Sequence, residues 1–262
     1  MRLGDLVVEG VLDGGMDVPS EVILNQVPHP SYLTAEGLLT VQLGGYLVRT
    51  GDRVLLVDTG FGPVLGGQLL TSLQAAGVRP EDVTDVLLTH LHADHVGWAT
   101  DGEKPVFPNA VYRCHERDWD HFVTQESDEY MRADLGLPKA CERLAPAAHL
   151  VETFDRDTTI APGVDVRHAP GHTPGSTVVV LSGGGGTAML LGDVLHCPAE
   201  LMSDDWEMMA DVDPALARRT REALARELEG SDVPVAAAHF PGLQFGRLLS
   251  AGAGGRDWRW KG

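Results

Sequence analysis

Apolar residues in this chain come in short runs, punctuated by glycine and proline at close intervals, a pattern that suits many strands and short loops. Residues 38–49 read as a strand, Thr50-Gly51-Asp52 as a turn and Arg53–Val57 as a second strand that closes at Asp58-Thr59-Gly60. Leu69, Leu70, Leu73 and Ala76 recur at helical spacing, predicting a helix over 65–76 with Gly77 as its C-terminal stop. Residues 85–88 and 111–114 are short apolar strands, and a helix is expected near 116–122. Val164–His168 is a further strand. The runs 176–181 and 187–191 form a hairpin around Gly183-Gly184-Gly185-Gly186. The clearest helix is Pro214–Leu228, with Asp213 as N-cap, proline at the first position and Gly230 just past the end. Residues 233–238 are a buried type of strand. Polar residues sit just past the ends of these strands, and residues 124–148 read as a helical insertion or a lid.

Length and composition narrow the picture. A chain of 262 residues can bury a sizeable core without disulfides. No break resembles a linker, so a single domain over 1–262 is expected. The formal charge is −18, and protonating all 11 histidines would leave it negative. Such a chain repels polyanions, which argues against nucleic acid and anionic membranes as partners. No apolar run approaches the roughly 18 residues of a membrane span, and the N-terminal stretch lacks the apolar core of a signal peptide. Cys114, Cys141 and Cys197 are odd in number and form no C-x-x-C pair. These features together predict a reducing, cytoplasmic setting.

The strongest chemical signal is His90-Leu91-His92-Ala93-Asp94-His95, which places four metal-ligand types within six residues, directly after a strand. Histidines two apart can point the same way from an extended segment, and the Asp-His pair then turns to a second position, so one loop could serve two metals. His172, Asp193 and His239 each follow a later apolar strand. Each alone reads equally as a structural histidine or a turn residue; the ordered set is far more specific.

This ordered set resembles the metallo-β-lactamase-fold hydrolases, over nearly the whole chain. The resemblance implies an α/β (α+β) fold, a four-layer αβ/βα sandwich with the site at one edge between two sheets. It implies a first metal held by His90, His92 and His172, a second held by Asp94, His95 and His239, and Asp193 bridging them. Asp58 would support the loop that carries the hexad. The cofactors implied are two divalent ions, zinc by default, with iron or manganese also compatible with these ligands.

Within that superfamily, Asp193 separates the chain from the true β-lactamases, and His92 separates it from the flavodiiron oxidoreductases. The stretch from Asp193 to His239 is too short for the domain that RNA-processing nucleases insert. Phe107-Pro108-Asn109-Ala110, Asp118-Trp119-Asp120, Gly192-Asp193-Val194-Leu195-His196 and Ala238-His239-Phe240-Pro241-Gly242 resemble methyl parathion hydrolase-like and N-acyl-homoserine-lactonase-like members. Many of those lactonases carry tyrosine where this chain has His196. The implied activity is hydrolysis of a small hydrophobic ester, lactone or phosphotriester by a metal-bridging hydroxide. Asp94 would relay a proton to the leaving group, and His196 would either donate to the oxyanion or pack beneath the site. Trp98, Phe107, Trp206, Met208 and Phe240 are expected either to line an apolar substrate pocket or to pack in the core. The alternatives are a thioesterase or ring-opening hydrolase of a biosynthetic pathway and an iron-dependent persulfide dioxygenase type of oxidoreductase. The partner expected is a small-molecule substrate. The first 30 residues fit an arm on the partner subunit of a homodimer, as in some relatives.

Overall fold

Consecutive strands pair with each other, so the first half of the chain builds one sheet and the second half another. A computed structural model describes residues 1–129, 132–203, 205–251 and 255–261. The first sheet runs in chain order through β1 (Arg2–Leu3), β2 (Leu6–Val18), β3 (Leu39–Thr50), β4 (Arg53–Val57), β5 (Asp85–Leu87), β6 (Val111–His115) and β7 (Val151–Phe154). The second holds β8 (Thr158–Ala161), β9 (Val164–His168), β10 (Thr177–Gly183), β11 (Gly186–Leu190), β12 (Val235–Ala236), β13 (Gly246–Ala251) and β14 (Gly255–Trp260) in the same sequential way. Pairs β4/β5, β5/β6, β6/β7 and β11/β12 are parallel and the rest antiparallel. The connections between parallel strands carry the helices, the hexad and Asp193, whereas His172 and His239 lie on connections between antiparallel strands.

The helices are α1 (Leu69–Ala75), α2 (Glu116–Asp118), which runs on into a π-turn over Trp119–Thr124, α3 (Ala140–Leu144) and α4 (Pro214–Leu228). Three apolar cores follow from this layering. Val8, Val48 and Leu55 of the first sheet meet Val166, Val179 and Leu190 of the second. Leu69 and Leu73 of α1 cover the outside of the first sheet. Leu224, Ala225 and Leu228 of α4 cover the outside of the second. The result is the expected αβ/βα sandwich. No helix among the described residues is long and apolar enough to cross a membrane.

Several expected elements differ in extent. The helix over 65–76 is a single 3₁₀ turn at Pro63–Leu65 followed by α1, because Gly66 and Gly67 interrupt it. Gly67 has no room for a Cβ: one would sit 2.2 Å from Asp13 Oδ1. Of the strand over 233–238, only Val235–Ala236 forms β12, although Pro234 and Ala238 also bond the neighbouring segment through Met189 N and Gly192 O. The first 30 residues are not an arm leaving the domain. Residues 6–18 are β2, which pairs along the length of β3 with a bulge between Leu12 and Gly14.

Candidate metal centre

Strand β5 ends one residue before Leu88, and the chain then enters the loop that carries the hexad. Asp58, just past β4, organises that loop from outside. Its Oδ1 accepts the Thr89 N–H at 2.8 Å, and its Oδ2 accepts the Thr89 hydroxyl at 2.8 Å. Oδ2 also lies 2.9 Å from His95 Nδ1. Asp58 holds a left-handed φ of 62° to do this, an uncommon backbone state for a residue other than glycine. Asp118 ties the hexad to the next loop: it accepts from Leu91 N at 3.2 Å, Gly175 N at 2.6 Å and Thr173 Oγ1 at 2.9 Å. Burial raises its carboxyl to about 6 against these donors.

His90, His92 and His172 form one group of ligand atoms, and Asp94, His95, Asp193 and His239 a second; within each group the atoms all lie within 4.8 Å of one another. His92 Nδ1 is 3.0 Å from His172 Nε2. Asp94 Oδ2 is 3.4 Å from both His95 Nε2 and His239 Nε2. Asp193 reaches into both groups: its Oδ1 is 3.2 Å from His95 Nε2, and its Oδ2 is 2.9 Å from His239, 3.7 Å from His172 and 3.9 Å from His90. Metal–ligand bonds of about 2.0–2.1 Å in a tetrahedron put neighbouring ligand atoms about 3.3 Å apart, so several of these separations suit one shared cation.

The far side of each ring is fixed. His239 Nδ1 is 2.8 Å from the Gln42 carbonyl, His172 Nδ1 is 3.1 Å from Asp211 Oδ1, and His95 Nδ1 faces Asp58. Such partners choose the tautomer and aim the other nitrogen at the centre. His90 Nε2, His95 Nε2 and Asp193 Oδ1 are buried without any hydrogen-bond partner. Buried polar atoms are rarely left unpaired, so this donor set fits a divalent cation. Burial and neighbouring imidazoles push His90 and His92 well below the ordinary histidine range. Burial also works against charge on His95 and His239, but Asp193 and Asp94 outweigh it. His95 rises well above its ordinary value and His239 to about 9. Their protons are the ones a bound cation would displace.

A cavity of about 150 Å³ opens on this cluster. Met16 and Val18 of β2, Val41 and Leu43 of β3, and Leu137 give it aliphatic walls. Asp94, His196 and Met208 also line it. From the 124–148 stretch, Glu129, Arg132, Leu135 and Leu137 line the cavity. Glu129 Oε2 accepts the Ala93 N–H at 2.8 Å, and burial lifts its carboxyl to about 8.

Of the five residues considered for the pocket, the structure brings Met208 to the cavity and the other four elsewhere. Trp98 packs on the outer core of the first sheet and donates its indole N–H to Asp13 at 2.7 Å. Phe107 is fully buried in the same core. Phe240 packs edge-on against Trp258 and Trp260 behind the second sheet. Trp206 joins Leu24, Leu39 and Cys197 in a small separate cluster. Nearness in sequence to a ligand misleads here, because successive residues of an extended segment point to opposite faces.

The profile of the metallo-beta-lactamase superfamily matches residues 45–239. The chain belongs to the metallo-beta-lactamase superfamily. It is 29% identical over 167 residues to an N-acyl homoserine lactonase of Bacillus sp, covering 55% of this chain and 60% of that one. It is 33% identical over 207 residues to metallo-beta-lactamase domain-containing protein 1 of Mus musculus, covering 77% of this chain and 66% of that one. The chain thus spans about two thirds or less of the length of these two relatives. Among solved structures it resembles the hydrolase AbOPH of the beta lactamase superfamily, at TM-score 0.84 and 25% identity, covering 99% of this chain and 95% of that one. It shares its fold with AidC, a dizinc quorum-quenching lactonase solved with a product, at TM-score 0.82 and 24% identity, covering 100% of this chain and 95% of that one.

Proposed function

We propose that this protein is a metal-dependent hydrolase of small hydrophobic lactones and carboxylic esters. The observation that carries the reading is the aliphatic cavity ending on a cluster of buried, unpartnered ligand atoms. Kinship with N-acyl homoserine lactonases supports a lactone as the first substrate to try.

His90, His92 and His172 would hold one divalent ion, and Asp94, His95 and His239 a second, with Asp193 shared; zinc suits this set of imidazoles and carboxylates. Bound there, such ions supply Lewis acidity and a water acidified toward neutrality. The chain does the rest. Val41, Leu43 and Leu137 take the apolar part of the substrate and exclude water. Burial opposes ionisation of Asp94, but the charge and hydrogen bond of His95 and the charge of His239 hold its carboxyl well below the usual range. It therefore stands ionised in the cavity wall, as a ligand to a divalent ion must, and would carry a proton only in transit from the attacking water to the leaving alkoxide. His196 lines the cavity with Nε2 3.1 Å from Asp193 Oδ2; once Asp193 is engaged by a cation, that N–H would be free to donate to the oxygen on which negative charge grows.

The test is a panel of one acyl-homoserine lactone, one aryl ester, one thioester and one aryl phosphotriester with the zinc-loaded protein. Lactone or ester with the highest kcat/KM supports the proposal. Turnover confined to the thioester or the phosphotriester would overturn it.

A further inference from the structure

Helix α4 carries a buried arginine. Arg221 is 3% exposed, and its guanidinium is engaged on several sides. Nη2 donates to Asp211 Oδ2 at 3.2 Å and to the Trp206 carbonyl at 3.1 Å. Nη1 donates to the carbonyl of Val194, the residue after Asp193, at 3.3 Å. Nε lies 3.9 Å from Glu200 Oε1.

Both carboxylates around Arg221 hold a histidine of the site. Asp211 Oδ1 lies 3.1 Å from His172 Nδ1. Glu200 Oε2 accepts the backbone N–H of His196 at 2.5 Å and of Cys197 at 2.8 Å. One guanidinium therefore contacts the carboxylate behind His172, the carboxylate beneath His196 and the backbone beside Asp193. A buried cation without anionic partners would be strongly unfavourable. This one has two, and its planar fork reaches several acceptors at once, which an ammonium cannot match.

We propose that Arg221 is a positioning residue of the metal centre. It locks Asp211 against His172, so that this imidazole keeps Nε2 turned toward Asp193, 3.7 Å away, and its charge lies beside Glu200, which holds the backbone of His196. The proposal rests on the cluster being a metal centre. Loss of a hydrogen-bonding partner behind a ligating histidine typically weakens metal binding about 10–100-fold.

The experiment is zinc affinity by competition with a chromophoric chelator, on wild type, Arg221→Met, Asp211→Asn and the double variant. Circular dichroism of the metal-free proteins checks folding. Each single change is expected to weaken zinc binding about 10–100-fold. The double variant is expected to be no weaker than the worse single one, because both act on His172 through one contact. Arg221→Lys, which keeps the charge but loses the fork, should recover part of the affinity; it replaces Arg221→Met in the cycle if the latter does not fold. Wild-type affinity in Arg221→Met, or losses that multiply in the double variant, would overturn the proposal while leaving the metal centre standing. A folded wild type that binds no zinc would overturn both.

Discussion

The imidazole of His95 is held from behind by Asp58, whose Oδ2 lies 2.9 Å from Nδ1 while the opposite nitrogen, Nε2, is buried and faces Asp193 Oδ1 at 3.2 Å. Asp58 spends its remaining acceptor capacity on the N–H and hydroxyl of Thr89 at the start of the loop. One carboxylate thus fixes both the loop and the tautomer of a ring that faces Asp193. Asp58→Asn keeps the shape but can offer an N–H to Nδ1, which favours the wrong tautomer. Zinc affinity should fall about 10–100-fold with little change in fold. Chelator competition on the two proteins measures it.

Asp193 reaches both groups of ligand atoms. Asp193→Ala should lose most bound zinc and most hydrolysis together. Metal analysis and lactone turnover on the same sample check this, and full activity at normal zinc content would contradict it.

Asp13 was not singled out by any motif, yet it is a hub. Its carboxylate accepts from Gly62 N at 3.1 Å, Leu69 N at 2.8 Å and the Trp98 indole at 2.7 Å, all inside the protein. Asp13→Ala would leave two buried donors and one part-buried donor unpaired. At about 1–3 kcal/mol for each, the loss of stability should reach about 3 kcal/mol or more, read from urea unfolding of the metal-free protein.

His115 stacks on His168 with ring centroids 4.3 Å apart, joining the ends of β6 and β9 beneath the site loops. Burial, the neighbouring imidazole and Arg117 lower its pKa to about 4. A histidine with a lowered folded-state pKa contributes stability that is present above its unfolded value of about 6.5 and is lost as pH falls toward 4. Stability should therefore drop between pH 6.5 and 4, with an His115 share of the order of 1 kcal/mol. His115→Phe should show a shallower slope in unfolding curves over that range.

Leu43 and Leu137 both line the cavity. Enlarging one, as in Leu137→Phe, should raise KM more for a long acyl chain than for a short one while kcat changes less, because the lost interaction is binding of the apolar tail. A chain-length series of acyl lactones measures it.

The cluster of candidate ligands was legible because its signal is local: an apolar run, then a histidine or aspartate at the strand end, repeated from β5 to β12. The strands with clean apolar patterns were legible for the same reason. Strand β2 was not, since Gly10, Asp13, Gly14 and Gly15 break its alternation and a bulge shifts its register. Strands β7 and β8 were missed because they carry polar residues on exposed faces. Strands β13 and β14 interleave charged residues with Leu248 and Trp258 and were missed likewise. The cavity wall was the least legible part. It is assembled from Met16, Val41 and Leu137, which are far apart in sequence and brought together only by pairing of β2 with β3 and by the covering segment.

The most direct test is to titrate zinc into metal-free protein while following hydrolysis of an N-acyl homoserine lactone. Turnover is expected to be absent without metal and to rise until about two zinc ions are bound per chain. Turnover that is unchanged by zinc removal, or a fully zinc-loaded protein that leaves lactone and ester intact, would contradict it.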